Sequence, residues 1–203
     1  MKPRRLLLGA AAALAGAALW WRRNPSACPY GQRFWVESPH PLITRPRLRE
    51  ILEPAAGERI LEVGPGTGYY TLEVAEWVKP GGQVDILDLQ HEMLDHTMGR
   101  AGERGLANVT PTQSDATAMP YEDGIYDAAF LVAVLGEIPD QEAALRELAR
   151  VLKPGGRLIV GELLGDPHYV RLGPLRLLAS GAGLGYERRV GTALGYFARF
   201  AKQ

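Results

Sequence analysis

The sequence predicts an α/β fold built on a doubly wound, mostly parallel sheet. Strand-like apolar runs alternate with amphipathic helical runs from about residue 47 almost to the C-terminus. One run, Tyr126–Val134, is nearly all apolar, as in strands buried on both faces. A glycine-rich turn joins the first strand to the next helix, where open α/β sheets bind ligands. A chain of 203 residues suits one such domain.

In the first half of this domain, a short helix over Arg47–Glu53 precedes the first strand, Arg59–Val63. The next helix, Thr67–Val78, is predicted to stop at the Lys-Pro-Gly-Gly of residues 79–82, because proline and glycine there do not continue a helix. A strand, a helix and a third strand follow: Val84–Leu89, His91–Glu103 and Val109–Gln113.

The second half opens with the buried strand Tyr126–Val134. Gln141–Leu152 is predicted to be a helix, because its alanine and leucine side chains recur on one face. A second Lys-Pro-Gly-Gly, at 153–156, closes it. The remaining predicted elements are a strand, a helix and two strand-like runs: Arg157–Glu162, His168–Ser180, Tyr186–Val190 and Gly195–Ala201.

The glycine loop after the first strand is the strongest local signal. Gly64, Gly66 and Gly68 follow Glu62 closely, and glycines let the backbone turn sharply and approach a ligand. A dinucleotide fingerprint would need a third glycine at the position of Tyr69, and the lysine of a phosphate-binding P-loop is missing. The loop taken alone is also compatible with a tight structural turn.

Two further acids follow the next two strands. Asp88 ends the second strand, where a carboxylate can accept hydrogen bonds from both ribose hydroxyls. Asp115, followed by Ala116, comes after the third strand, where an acid can meet an adenine amino group. Each aspartate also has a local alternative, as a helix cap or a turn residue. Together with Glu62 they place three acids at the edge where such sheets bind ligands.

These motifs resemble those of a known enzyme family. LEVGPGTGYY, VDILDLQHEML, SDATAMPYEDGIYDAAFLVAVLGEIPD and LKPGGRLIVGE occur in this order and spacing. They are similar to the successive motifs of class I S-adenosylmethionine-dependent methyltransferases, in particular the group that includes the ubiquinone and menaquinone biosynthesis enzymes. The resemblance is strong over residues 47–165 and looser beyond. It implies a Rossmann-like fold whose last strand is antiparallel and inserted between strands five and six.

The resemblance also implies S-adenosylmethionine as cofactor and assigns roles around it. The glycine loop would enclose the methionine part, supported by the acid before it. The next acid would bind the ribose, and the residues after strands two and three would meet the adenine. The implied cofactor-binding residues are Glu62, Gly64, Gly66, Gly68, Asp88, Leu89, Asp115 and Ala116.

The predicted activity is in-line methyl transfer to a small or lipid-soluble acceptor. The family's acceptor pocket would comprise the segments 34–45, 135–140 and 163–180, whose apolar content favours a lipid-soluble compound. Candidates for a general base are Glu137, Glu162, His168 and His40, which the sequence does not rank, so no catalytic residue is assigned. The alternative function is that of a non-catalytic domain that binds the cofactor and acts as a membrane-tethered partner of another protein. A nicotinamide-dependent oxidoreductase is disfavoured by the glycine spacing.

Composition excludes several partners. Lys plus Arg and Asp plus Glu both number 23, which predicts no nucleic-acid partner. Cys28 is the only cysteine, so an intrachain disulfide and a cysteine metal cage are excluded, and no metal site is predicted.

The N-terminus predicts a membrane anchor. Residues 1–25 contain the apolar run Leu6–Trp21 between basic residues, which favours a transmembrane helix. Basic residues at both ends leave its orientation open, and the methyltransferase resemblance implies a catalytic domain in the cytoplasm, where the cofactor is made. A cleaved signal peptide and a soluble helix are the alternatives. Residues 26–46 are interpreted as a linker and lead-in, and residues 47–203 as the methyltransferase domain.

Overall fold

The computed structural model describes residues 25–37 and 40–203, which form a seven-stranded sheet with helices on both faces. Within these residues, strands β1 to β7 are Arg59–Val63, Gln83–Asp88, Val109–Gln113, Tyr126–Val132, Leu152–Leu163, Leu184–Thr192 and Gly195–Lys202. Helices α1 to α6 are Phe34–Glu37, Arg45–Leu52, Thr71–Trp77, His91–Glu103, Gln141–Val151 and Leu172–Gly181. Single 3-10 turns cover Tyr30–Gln32 and Leu135–Glu137.

The strand order in the sheet is β3-β2-β1-β4-β5-β7-β6. Strands β1 to β5 are parallel, whereas β7 lies antiparallel between β5 and β6. The predicted fold class is therefore confirmed, including the inserted antiparallel last strand. Because β1 to β5 run in the same direction, their carboxyl ends lie along one edge, called here the carboxyl edge.

Two apolar layers fix the helices to the sheet. Side chains from α2, α3 and α4 pack on one face, and those from α5 and α6 pack on the other. Helix α5 shows how local sequence determines a helix. At its N-terminus, the Asp140 side chain caps the helix by accepting the Ala143 N–H at 2.9 Å. Its inward stripe, Ala144, Leu145 and Leu148, is fully buried.

A polar network ties the strands together away from the carboxyl edge. The buried carboxylate of Asp85 pairs with the Arg59 guanidinium at 2.6 Å and accepts the Tyr126 hydroxyl at 2.8 Å. These residues come from β2, β1 and β4, so the network joins three strands. Nearby, Arg157 pairs with Glu58 at 2.5 Å. The acids in this region are paired with cations.

Two predicted helices begin later than their sequence patterns suggested. The helix predicted from Thr67 begins at Thr71, because residues 66–70 form a turn that includes the end of the glycine loop. The helix predicted from His168 begins at Leu172. There the Asp166 side chain accepts the His168 N–H at 2.6 Å and closes a turn ahead of the helix.

The prediction of a transmembrane helix is corrected. No helix in the part of the chain that the structure describes is long and apolar enough to cross a membrane. The longest, α4, has 13 residues and spans about 20 Å, short of the roughly 30 Å hydrocarbon core. The run Leu6–Trp21 that motivated the prediction lies outside the described residues.

Candidate active site at the carboxyl edge

The glycine loop at the end of β1 uses a backbone conformation that favours glycine. Gly64, Gly66 and Gly68 have φ values of 68°, 57° and 79°, all in the left-handed region. A Cβ on Gly64 would also lie 2.9 Å from Val134 Cγ1, too close for an ordinary contact. The Thr97 hydroxyl of α4 donates to the Gly66 carbonyl at 3.0 Å, which holds the loop from behind. The three predicted glycines are thus required by the fold of this loop.

Glu62, the acid before the loop, is almost completely buried. Its carboxyl accepts a hydrogen bond from the Thr71 hydroxyl, so it connects the end of β1 to the first turn of α3. Burial raises the pKa of Glu62 to about 8; the Thr71 hydrogen bond opposes this shift, and the negative charge of Asp88 adds to it. Glu62 therefore supports the loop from within the protein.

Asp88 and Leu89 lie at the end of β2, next to the loop. The Asp88 Oδ1 atom accepts the Gln90 N–H at 2.9 Å, which orients the carboxylate. Burial raises the pKa of Asp88, while hydrogen bonds from the Gln90 and Leu89 backbones oppose this. The Leu89 side chain is 55% exposed, which leaves an apolar surface beside Asp88.

The predicted pair after β3 has a partly structural role. Asp115 Oδ1 accepts both the N–H and the hydroxyl of Thr117 at 2.8 Å, as the turn alternative predicted. Ala116 is buried in the core beside Met119. Of the two, only Asp115 keeps an exposed side chain at the carboxyl edge.

The lead-in crosses the carboxyl edge above the glycine loop. Gln90 accepts the Tyr30 N–H at 3.0 Å and donates to the Cys28 carbonyl at 2.9 Å. On the other side, the Cys28 N–H lies 3.3 Å from Glu137 Oε2, the carboxylate that accepts it. Gln90 follows β2 and Glu137 follows β4, and β1 lies between those strands. Sequence reasoning missed Gln90, because nothing local signals a contact with residues about 60 positions away.

The turn after β4 is packed tightly against the segment after β5. Ala133 has φ 55°, unusual for a residue with a side chain, and its N–H donates to the Gly161 carbonyl at 2.8 Å. A Cβ on Gly136 would lie 2.7 Å from the carbonyl carbon of His168. Only glycine fits at position 136, and the contact brings Glu137 close to the chain around His168.

Three acids gather where these two segments meet, namely Glu137, Glu162 and Asp166. Burial raises the pKa of Glu137 to about 8, and repulsion from Asp166 adds to the shift. Burial also raises the pKa of Glu162 to about 8, with Asp166 and Glu137 contributing repulsion. The contact of Gly136 with His168, and the hydrogen bonds that Asp166 and Glu162 accept from residues 168 and 170, place these carboxyls in one region of the carboxyl edge.

The two candidate histidines are placed differently. His40 packs edge-on against Tyr69, with ring centroids 5.4 Å apart, and burial lowers the pKa of its imidazole. His168 lies beside the acids, where its backbone N–H donates to Asp166. The four candidate bases therefore divide into one histidine beside the glycine loop and three residues at the ends of β4 and β5.

Comparison with known proteins supports the resemblance to a methyltransferase family. A model for the methyltransferase domain family matches residues 60–156. The ubiquinone/menaquinone biosynthesis C-methyltransferase UbiE of Cellvibrio japonicus is 38% identical over 113 residues, 55% of this chain and 45% of that protein. Residues 60–156 are thus similar to a methyltransferase domain, and the resemblance to class I S-adenosylmethionine-dependent methyltransferases is confirmed. S-adenosylmethionine is the cofactor of this domain class.

Other relatives agree with this methyltransferase domain. UbiE of Pasteurella multocida is 38% identical over 109 residues, 52% of this chain and 40% of that protein. The matched region thus spans less than half of either curated relative. The crystal structure of a SAM-dependent methyltransferase from Aquifex aeolicus has a TM-score of 0.78 at 22% identity, and it covers 86% of this chain and 98% of that one. This structural likeness supports the fold of the methyltransferase domain.

Proposed function

We propose that the chain transfers a methyl group from S-adenosylmethionine to a small, lipid-soluble aromatic acceptor of the quinol type. The observation that carries the proposal is the loop of three left-handed glycines at the end of β1, beside a carboxylate at the end of β2. That combination leaves room for the backbone to approach a ligand and supplies an acceptor for its hydroxyl groups.

The predicted cofactor-binding residues are chemically suited to S-adenosylmethionine. Gly64, Gly66 and Gly68 would line its methionine part, and Glu62 would brace the loop beneath it. Asp88 has one oxygen fixed by the Gln90 N–H and would accept the ribose hydroxyls with the carboxylate thus oriented. The exposed Leu89 would pack beside the adenine, with Asp115 and Ala116 at its edge. When bound, the cofactor supplies an electrophilic methyl group.

The quinol-type acceptor is favoured by the relatives and by the surface near the acids. The curated relatives are named as ubiquinone/menaquinone biosynthesis C-methyltransferases. Two leucines at the ends of β5 and β7, Leu164 and Leu194, are each more than half exposed and joined by a backbone hydrogen bond of 2.9 Å. They give the mouth of the candidate acceptor site an apolar rim, which suits a compound with low water solubility.

Methyl transfer needs mainly positioning, because acceptor and methyl carbon must be held collinear at little more than 3 Å. The lead-in across the carboxyl edge favours this reaction by limiting the access of water. The relatives are named as enzymes, which favours catalysis over a purely non-catalytic role. We also propose that the domain works in the cytoplasm, since S-adenosylmethionine is made inside the cell.

Calorimetric titration of the full chain with S-adenosylmethionine, and with NADH as a negative control, tests the cofactor assignment. Asp88→Ala removes hydrogen bonds to the ribose and should weaken binding about 5- to 100-fold. Asp95→Ala is the matched control, because Asp95 is exposed on α4 and its one ion pair within the described part of the chain is with His91 at 3.1 Å. No binding by the folded wild-type chain, or equal affinity for both variants, would contradict the proposal.

A further inference from the structure

The carboxyl group of Glu162 has one oxygen bonded and one free. Glu162 is the penultimate residue of β5 and is only 1% exposed. Its Oε2 atom accepts the Val170 N–H at 2.9 Å. Its Oε1 atom is buried and has no hydrogen-bond partner in the part of the chain that the structure describes. A buried polar atom without a partner is costly, so a hydrogen-bond donor supplied by a ligand would relieve that cost.

The position of Glu162 is determined by the surrounding fold. In the antiparallel pairing of β5 with β7, Glu162 lies opposite Tyr196. The Tyr196 hydroxyl donates to the Val170 carbonyl at 2.7 Å, and Val170 in turn donates its N–H to Glu162. One end of the carboxyl is thus held by two strands and the segment after β5. The free oxygen is a fixed feature of the site.

The surroundings of that oxygen are acidic. Glu137 and Asp166 both interact unfavourably with a negative charge on Glu162, and their repulsion adds to the effect of burial in raising its pKa. Asp88, the predicted ribose-binding residue, also repels a negative charge on Glu137. Among the described residues, neither Glu137 nor Glu162 forms an ion pair with a lysine or arginine. Such a cluster suits a ligand that donates a proton or carries a positive charge, and it disfavours an anion.

We propose that Glu162 Oε1 accepts a proton from the methyl acceptor, and that the acceptor therefore presents an O–H or N–H group to the cluster of Glu162, Glu137 and Asp166. This inference rests on the proposed methyltransferase function and specifies its acceptor. It selects Glu162 as the catalytic residue among the four candidates, with Glu137 and Asp166 as positioning residues.

The chemistry balances without a further reactant. The nucleophile of the acceptor forms a bond to the methyl carbon while the carbon–sulfur bond breaks, and that electron pair stays on sulfur. The acceptor's O–H or N–H proton passes to Glu162 Oε1, either before the new bond forms or with it. Products are the methylated acceptor, S-adenosylhomocysteine and a protonated Glu162, which then loses its proton to water. A base with a pKa near the working pH can both take the proton from the acceptor and later release it to water.

Binding of acceptor-like probes tests the inference. The full chain is first titrated with S-adenosylmethionine, then saturated with S-adenosylhomocysteine and titrated with 4-hexylphenol, 4-hexylbenzylamine and 4-hexylanisole. All three probes have an alkyl tail, but only the first two donate a hydrogen bond. The wild-type chain should bind the phenol or the amine at least about tenfold more tightly than the anisole. Tighter binding of the phenol than of the amine supports the quinol-type acceptor, whereas tighter binding of the amine would contradict that acceptor and leave the role of Glu162 in place.

Glu162→Gln should reduce this preference to less than about threefold, because the amide can still accept the Val170 N–H but then presents its own donor to the ligand. Glu142→Gln is the matched control, since Glu142 is exposed on α5, and it should keep the wild-type preference. Equal binding of the three probes, no binding of any, or an unchanged preference in Glu162→Gln would overturn the inference. Failure to bind S-adenosylmethionine would instead count against the proposed function.

Discussion

Replacing Gly136 by alanine tests whether the contact between the segments after β4 and β5 is as tight as the structure indicates. The new Cβ would lie 2.7 Å from the His168 carbonyl carbon and 2.9 Å from its Cβ. Backbone atoms cannot rotate away, so one segment must move. Overpacking of this kind costs about 1–3 kcal/mol of unfolding free energy. For a chain of this size the melting temperature should fall by roughly 2–12 °C.

A glycine in an open position provides the control. Gly102 lies in α4, is exposed, and would meet nothing within 4 Å if it carried a Cβ. Gly102→Ala should raise stability by about 0.4–1 kcal/mol, because alanine has less conformational freedom to lose in a helix. Differential scanning calorimetry of the full chain compares the two variants. A melting temperature for Gly136→Ala equal to or above that of Gly102→Ala would refute the reasoning.

Two further predictions concern stability and its separation from ligand binding. The pKa values of Glu62, Glu137 and Glu162 are raised from 4.5 to about 8 in the folded chain. The folded state therefore binds more protons than the unfolded state between these values, and the free energy of unfolding should fall as pH rises from about 5 to 8. Urea unfolding at several pH values should show that the free energy of unfolding depends less on pH in Glu162→Gln than in Glu142→Gln. Equal pH dependence in the two variants would contradict the raised pKa of Glu162. Separately, Asp85→Ala leaves the buried Tyr126 hydroxyl without its acceptor and should lower the free energy of unfolding by about 1–3 kcal/mol. The loss of the ion pair with Arg59 adds little, because Arg59 is partly exposed and water can solvate its charge. Calorimetry should then show S-adenosylmethionine affinity within about twofold of the wild type, and a large loss would mean that this network also shapes the site.

The structural features that could be predicted from the sequence are those determined by residues close together in the chain. The bounds of β1, β3 and α4 are confirmed to the residue, because apolar periodicity and turn residues define them locally. A sharp turn was predicted for the glycine loop, and the structure adds that its three glycines adopt left-handed φ values. The place of β7 in the sheet followed only from the family resemblance, since periodicity does not specify which strands are neighbours.

The features that the sequence did not predict depend on distant contacts. Gln90 binds the lead-in backbone at Cys28 and Tyr30, more than 50 residues earlier in the chain. The acids Glu137 and Glu162 are 25 positions apart in sequence, and only the packing of the turn after β4 against the segment after β5 brings them together. Their ranking among the candidate bases therefore required the folded structure.

The unequal distribution of charge partners across the sheet has a consequence for turnover. Acids such as Asp85 and Glu58 are neutralised by arginines, whereas Glu137 and Glu162 at the carboxyl edge interact chiefly with other acids. On the proposed function, the reactant brings a sulfonium cation to this edge and the product leaves as a neutral thioether. Above about pH 8, where these carboxyls are ionised, they attract the reactant and lose that attraction once the methyl group has moved. Product inhibition is thereby weakened by the same charges that lower the stability of the unliganded protein.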